Sequence, residues 1–220
     1  MERKIIVTAD GSSTIHLPEL NESYHSKHGA IQEAKHVFIK NGLSLFYEKN
    51  ISILEIGFGT GLNSFITFLE APKFHLKIDY VGVEAYPVSS EEIEKINYVS
   101  ELRVEEFKEV FSEMHGQEWD IKNRLSSNFS LTKRKCFFEE IKDENVFNLI
   151  YFDAFGARVQ PELWTEDIFE IMYKSLKLNG VLVTYCAKGS VRRALLKVGF
   201  LVEKLAGPPG KREMLRATKN

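Results

Sequence analysis

The chain has 220 residues, 44% of them hydrophobic and 27% charged, with a formal net charge of -2. That supplies one substantial core and is too short for two ordinary ones, so a single enzyme-sized domain over residues 1–220 is expected, with 1–45 as an N-terminal extension and 46–220 as its core. No apolar run approaches the roughly 18 residues of a membrane span, and Met1 to Lys4 lead into no signal-peptide core, which favours a soluble cytoplasmic protein.

In chain order, Lys4 to Thr8 and Thr14 to Leu17 flank the turn signal Asp10-Gly11, which predicts a small β-hairpin. Gln32 to Lys40 reads as a helix with Ala34, Val37 and Phe38 inward, ended near Asn41-Gly42. Ile51, Ile53, Leu54 and Ile56 then form a buried parallel strand that runs into Gly57, Gly59 and Gly61, and Leu62, Phe65, Ile66 and Leu69 recur at helical spacing behind it. Strand, glycine turn and helix in that order make the βα unit of a doubly wound sheet, which binds ligands beyond the carboxyl ends of its strands. Ile78 to Val83 is the next strand, closed by Glu84, and Ser89 with Glu92 has capping-box spacing ahead of an acidic amphipathic stretch to Met114. His115-Gly116 opens a polar, irregular insertion. Lys135 to Phe138, Val146 to Asp153, Gly180 to Cys186, Phe200 to Leu205 and Arg212 to Thr218 are the remaining strands, with Thr165 capping a helix that runs to about Leu176. The expected fold is an α/β, Rossmann-like sheet of seven mostly parallel strands ending in an antiparallel hairpin, with the small hairpin in front.

The glycine spacing Gly57-x-Gly59-x-Gly61 places its third glycine one residue earlier than the dinucleotide fingerprint does. From Glu55 to Gly61 it resembles class I S-adenosylmethionine-dependent methyltransferases, and a carboxylate at Glu84 can take both ribose hydroxyls of a nucleoside. Asp153, at the end of the fourth strand and followed by the tight loop Ala154-Phe155-Gly156-Ala157, can accept a proton from an amine or hold its lone pair in line with a methyl donor. Glu140 is the candidate acceptor for an adenine amino group, with Glu139 beside it as the alternative. Cys136 and Cys186 lie far apart on predicted buried strands and read as free core thiols. His16, His25, His28 and His36 have no clear carboxylate or cysteine partner to complete a four-ligand set, so no metal is expected.

The motifs GFGTGLN, VEAYP, DAF, PELWT and GKREML occur in an order that resembles the MnmC-like, or MnmD, tRNA methyltransferases, and Lys211 to Leu215 is the most distinctive block. The resemblance covers nearly the whole chain. It implies conversion of a 5-aminomethyl-(2-thio)uridine at the tRNA wobble position to its 5-methylaminomethyl form, with S-adenosyl-L-methionine as donor. It also implies that Glu55, Gly57, Phe58, Gly59, Thr60, Gly61, Leu62, Asn63 and Ala85 line the cofactor site, that Glu84 holds the ribose, that Asp153 faces the transferred methyl, and that Tyr24 and Phe155 sit beside it. Two departures stand out. The family's Asp-Gly-Phe-Ala-Pro loop is Asp153-Ala154-Phe155-Gly156-Ala157 here, and its glycine-arginine lead into the closing motif is Pro208-Pro209-Gly210. No second glycine-rich dinucleotide motif follows, so a methyltransferase without the flavin-dependent oxidase of some relatives is expected.

From Cys186 onward nine bases face two acids, a local charge of +7, so the remainder carries -9. Lys188, Arg192, Arg193, Lys211 and Arg212 are the candidate phosphate contacts, and Trp164, Phe155 and Tyr24 the candidate stacking partners for a splayed anticodon-loop base. Two other readings remain open, namely methylation of a small-molecule amine and a noncatalytic nucleotide- or nucleic-acid-binding module.

Overall fold

The computed structural model describes residues 2–220. The chain opens on β1 (Lys4–Val7), β2 (Ser13–Leu17) and β3 (Glu22–Ser23), which pair in the order β1-β2-β3 as an antiparallel sheet. The hairpin turns at Gly11, whose φ is +87°, and Asp10 Oδ1 accepts the Ser12 N–H at 3.1 Å. The third strand adds to the expected hairpin because Ser23 and Glu22 pair with His16 and Leu17. Next comes α1 (Ala30–Ala34), continued by one π-helical turn over Lys35–Lys40, and Ala34, Val37 and Phe38 are buried as the periodicity requires.

β4 (Asn50–Ile56), α2 (Leu62–Glu70) and β5 (Lys77–Val83) form the central βαβ unit. Three short helices follow, α3 (Ser90–Ile93), α4 (Tyr98–Leu102) and α5 (Lys108–Gly116). The Ser89 capping box is formed, with the Ser89 N–H on Glu92 Oε2 at 2.9 Å. β6 (Lys122–Ser126) and β7 (Phe129–Arg134) precede β8 (Phe147–Phe152), α6 (Glu166–Ser175), β9 (Leu176–Thr184), α7 (Gly189–Val198), β10 (Leu201–Ala206) and β11 (Glu213–Thr218).

The main sheet runs β10-β11-β9-β8-β4-β5-β7-β6. Its five inner strands from β9 to β7 are parallel, and β11, β10 and β6 are antiparallel to their neighbours. Eight strands replace the expected seven. The extra one, β6, lies within the segment read as a polar insertion, because KNRLS on a sheet edge needs no apolar face. The strand expected at Lys135 to Phe138 lies earlier, at β7, where Phe129, Leu131 and Lys133 point inward in alternation. Cys136 and Cys186 fall just past β7 and β9 rather than within buried strands, and both are half-buried free thiols.

Two apolar clusters cover the sheet faces. Phe38, Phe65, Tyr80, Leu131 and Tyr151 belong to one, and Phe147, Phe152, Phe169, Met172 and Leu195 to the other. This two-sided cover explains why β4 and β8 are almost continuously apolar. It also leaves only the strand ends open, and there the glycine turn after β4, Glu84 after β5 and Asp153 after β8 stand side by side.

Candidate active site

A cavity of about 730 Å³ opens at the carboxyl ends of β4, β5 and β8. Gly57, Phe58, Gly59, Leu62, Asn63, Glu84, Ala85, Asp153 and Phe155 line it, and the N-terminal sheet and the turn after it roof it with Arg3, Leu17, Leu20, Tyr24 and His25. Tyr86, Phe137, Phe138, Glu139, Gln160, Glu162, Leu163 and Ile168 complete the wall.

The glycine turn is held by the neighbouring strand. Gly57 N–H and Phe58 N–H both donate to Val83 O at 3.0 Å, and Asp153 N–H donates to Ile56 O at 2.9 Å. Gly57 has a φ of +87°, and a Cβ there would lie 2.8 Å from Asp153 O. The turn and the reaction loop therefore touch through backbone, and only glycine allows the approach. At Gly59 a Cβ would point at the Tyr24 ring, 3.1 Å away.

Glu84 is fixed by two backbone donors, Gly59 N–H to Oε2 at 3.0 Å and Tyr86 N–H to Oε1 at 2.9 Å. Each oxygen keeps a lone-pair direction for a hydroxyl in the cavity, as ribose recognition needs. Glu140 is not in the wall. The chain beyond β7 makes a 3-10 turn at Phe138–Glu140, and Glu140 Oε2 accepts the Phe137 N–H at 2.7 Å, so Glu139 is the acid that reaches the cavity. Glu55, Thr60 and Gly61 also stand behind the wall. Glu55 is fully buried within β4, Thr60 Oγ1 meets Tyr98 Oη at 2.8 Å, and Gly61 (φ +70°) is the N-cap of α2.

Asp153 lies between the cavity and a polar cluster. Its Oδ2 accepts Asn63 Nδ2–H at 2.8 Å. Desolvation by the surrounding walls, with the Glu33 carboxylate nearby, raises its pKa to about 7, against the opposing effects of the Asn63 hydrogen bond and the Lys211 ammonium. His25 is pushed down to about 4 by burial, so it roofs the cavity as a neutral ring. Tyr24 is raised to about 12, chiefly by burial, and stays a phenol; its ring meets Phe155 edge-on at 5.0 Å and lies 5.9 Å from the Arg3 guanidinium carbon.

Three donors pin the carbonyls of the reaction loop. Tyr185 Oη–H donates to Ala154 O at 2.8 Å, Trp164 Nε1–H to Phe155 O at 2.7 Å and Lys188 Nζ to Ala157 O at 3.3 Å. Trp164 is only 5% exposed and packs on Phe152 with ring centroids 4.9 Å apart, so it has no face open to a base. Its expected stacking role is corrected to a structural one. Trp164→Phe removes the donor and one ring of a buried indole, and should lower stability by about 2–4 kcal/mol in chemical denaturation. Lys211 ion-pairs with Glu33 and lies 4.3 Å above the Tyr185 ring, so the distinctive Lys211 to Leu215 block reaches the loop through its first residue while Met214 and Leu215 are buried in β11.

Of the expected phosphate contacts none lines the cavity. Lys188, Arg193 and Arg212 are exposed, and Arg192 and Arg212 both act on the Glu213 carboxylate. Four other bases of the C-terminal run are neutralised in ion pairs, Lys197 with Glu166, Lys204 with Glu213, Arg216 with Glu203 and Lys211 with Glu33. Among the described residues no group of three or more His, Cys, Asp or Glu side chains is placed to hold a metal ion, and no helix is long and apolar enough to cross a membrane.

A family model described as S-adenosyl-L-methionine-dependent methyltransferase matches residues 97–220, more than half of the chain and including Asp153. The chain belongs to that family. Curated relatives of this methyltransferase include the tRNA 5-methylaminomethyl-2-thiouridine biosynthesis bifunctional protein MnmC of Marinomonas sp. (strain MWYL1), 28% identical over 90% of this chain and 31% of the relative. The protein of the same name from Idiomarina loihiensis is 28% identical over 89% of this chain and 35% of the relative. The chain thus spans about a third of the length of these relatives and is like the methyltransferase part of MnmC. Among solved structures, MNMC2 from Aquifex aeolicus superposes with a TM-score of 0.81 at 24% identity, covering 100% of this chain and 70% of that one. Spermidine synthase from Thermotoga maritima gives 0.56 at 16% identity, over 99% and 73% respectively. Both likenesses bear out the class I methyltransferase fold.

The methyltransferase's cofactor fits what the residues offer. Gly57 and Gly59 bring bare backbone into the cavity wall, and Glu84 presents a doubly anchored carboxylate. Glu84, Glu139, Asp153 and Glu162 face Arg3 alone among charged lysine or arginine lining groups, which suits a sulfonium and an amine.

Proposed function

We propose that this methyltransferase N-methylates the 5-aminomethyl group of a wobble uridine in tRNA, giving 5-methylaminomethyl-(2-thio)uridine. The observation that carries the reading is Asp153, a carboxyl with a pKa of about 7 at the end of β8 in a cavity walled by acids and aromatics. The names of the relatives support the substrate, and the exposed Lys188, Arg193 and Arg212, with Lys188 on the reaction loop, suit a phosphate backbone.

S-adenosyl-L-methionine, when bound by Gly57, Phe58, Gly59, Leu62, Asn63, Glu84 and Ala85, supplies an electrophilic methyl group on a sulfonium. The protein's own residues prepare the nucleophile. Asp153 would take a proton from the substrate ammonium, leave the amine lone pair free to meet that methyl group, and pass the proton on to water. Positioning dominates such a one-step displacement, so the pinned loop matters as much as the base. Tyr24 and Phe155 offer aromatic surface for the uracil ring, and Lys188, Arg193 and Arg212 contact phosphates outside the cavity.

Arg193→Glu combined with Arg212→Glu should weaken tRNA binding at least about tenfold near 0.1 M salt and flatten its dependence on salt, with S-adenosylmethionine affinity unchanged. Filter binding across a salt series checks this. Salt-insensitive turnover of a small amine, with no tRNA affinity, would refute the tRNA reading and leave the methyltransferase chemistry in place.

A further inference from the structure

Behind the cavity wall, Glu55 holds a fully buried carboxyl that no step above uses. Its Oε2 is hydrogen-bonded to Tyr80 Oη at 2.9 Å and its Oε1 accepts Asn63 Nδ2–H at 2.9 Å. The same Nδ2 gives its second hydrogen to Asp153 Oδ2 at 2.8 Å. An amide nitrogen carries two hydrogens, so both are committed, each to a different carboxyl. Asn63 Oδ1 is buried without a hydrogen-bond partner. That orphan is the cost of turning the amide so that its nitrogen faces the Glu55 carbonyl oxygen and Asp153, since the flipped amide would set its oxygen against that carbonyl and against the ionised Asp153.

We propose that Glu55 is a positioning residue, holding the Asn63 carboxamide so that its N–H aims at Asp153 and fixes both the direction and the charge state of that group, without touching the cofactor. The inference rests on the reading of Asp153 as the proton acceptor. Burial raises Glu55 well above the ordinary carboxyl range, so it serves as a neutral acid: Oε1 is the carbonyl oxygen that accepts from Asn63, and the acid proton lies in the Oε2 contact with Tyr80 Oη. The charged and titratable groups around the pair are few. Asp153 faces Glu33 from α1, Lys211 ahead of β11, Tyr185 beyond β9 and Tyr98 from α4. Glu55 faces Tyr80 from β5, Tyr151 from β8, Glu84 and Asp153 itself. The Asn63 hydrogen bond acts to lower the Asp153 pKa, so losing it must raise that pKa further.

The chain has six aspartates, so carboxyl-13C labelling of Asp gives a countable spectrum in which Asp153→Asn identifies the Asp153 signal. The unliganded full chain is titrated as wild type, Glu55→Gln, Glu55→Leu and Asn63→Ala, and S-adenosylmethionine affinity is measured by calorimetry on each. Glutamine keeps an acceptor for Asn63 and a partner for Tyr80, so Glu55→Gln should titrate as wild type. Glu55→Leu and Asn63→Ala should each move the Asp153 midpoint up by about one pH unit, and Glu55→Leu should keep its cofactor affinity. An unmoved midpoint in Asn63→Ala overturns the proposal, as does a Glu55→Gln shift as large as that of Asn63→Ala; these two variants decide the matter if Glu55→Leu fails to fold. A tenfold loss of cofactor affinity in Glu55→Leu with an unmoved midpoint overturns it in favour of a cofactor ligand. Midpoints that move as stated, with normal transfer by Asp153→Asn, uphold the orienting contact and refute the base role on which it rests.

Discussion

Asp153→Asn should slow single-turnover methyl transfer by about a hundred- to ten-thousandfold, the range typical of removing one positioned acid or base. Asparagine keeps the shape and a hydrogen-bond acceptor, so a collapse of the sheet is not the expected cause. Wild-type transfer should rise with pH up to about 7, as Asp153 ionises, and the variant should lose that limb. Stability runs the other way. The folded-state pKa is raised, so between the ordinary value of 3.8 and about 7 the folded protein holds a proton that the unfolded chain has released. Asp153 therefore costs no stability below that window, and the cost is complete above it, with an upper bound on the order of 4 kcal/mol. Asp153→Asn should accordingly be more heat-stable than wild type at pH 8 and gain little at pH 4. A variant that is both slower and more stable would show that the fold tolerates this acid for its chemistry. One that transfers normally would remove Asp153 from the mechanism.

Gly57→Ala should weaken S-adenosylmethionine binding by at least tenfold and lower the melting temperature. Its φ of +87° is strained for any L side chain, at about 1–3 kcal/mol. The new Cβ would also lie 2.8 Å from the Asp153 carbonyl, so the turn or the reaction loop must move. Neither has slack, because Val83 O holds the turn and Ile56 O holds Asp153. Gly116→Ala is the matching control. It ends α5, where a Cβ meets nothing within 4 Å, and should leave both calorimetry and melting unchanged. Equal affinity in Gly57→Ala and wild type would show that the cofactor does not depend on this turn.

The parts of the site legible from sequence are those set by local chain chemistry. Gly57 to Asn63, Glu84 and Asp153 each follow a strand directly, so knowing the strand places the residue, and all three meet where the sheet topology predicts. Glu140 failed because its strand was read several residues too late: Phe129 to Arg134 carries polar residues and a buried lysine, and the more apolar look of Cys136 to Phe138 belongs to the turn beyond it. The roof from Arg3, Leu17, Leu20 and His25 left no local signal, since it depends on how the N-terminal sheet sits over strands far along the chain. Arg3 shows this most directly, with its guanidinium on Tyr86 O and Pro87 O at 2.9 and 3.2 Å. Trp164 misled for the opposite reason. A tryptophan beside a helix cap suits a stacking surface or a buried anchor equally well, and only its burial against Phe152 decides between them. Charge counting along the C-terminal run likewise overstated the free bases, because Glu33 and Glu166, which neutralise Lys211 and Lys197, lie far earlier in the chain.

The most direct test of the central claim is methyl transfer from labelled S-adenosylmethionine to tRNA isolated from cells lacking this gene, with the product digested and its nucleosides separated. Label confined to a 5-methylaminomethyluridine, with or without the 2-thio group, and absent when Asp153→Asn is used, is the predicted result. Label on any other nucleoside, or none on tRNA from an enzyme that binds its cofactor tightly, would contradict it.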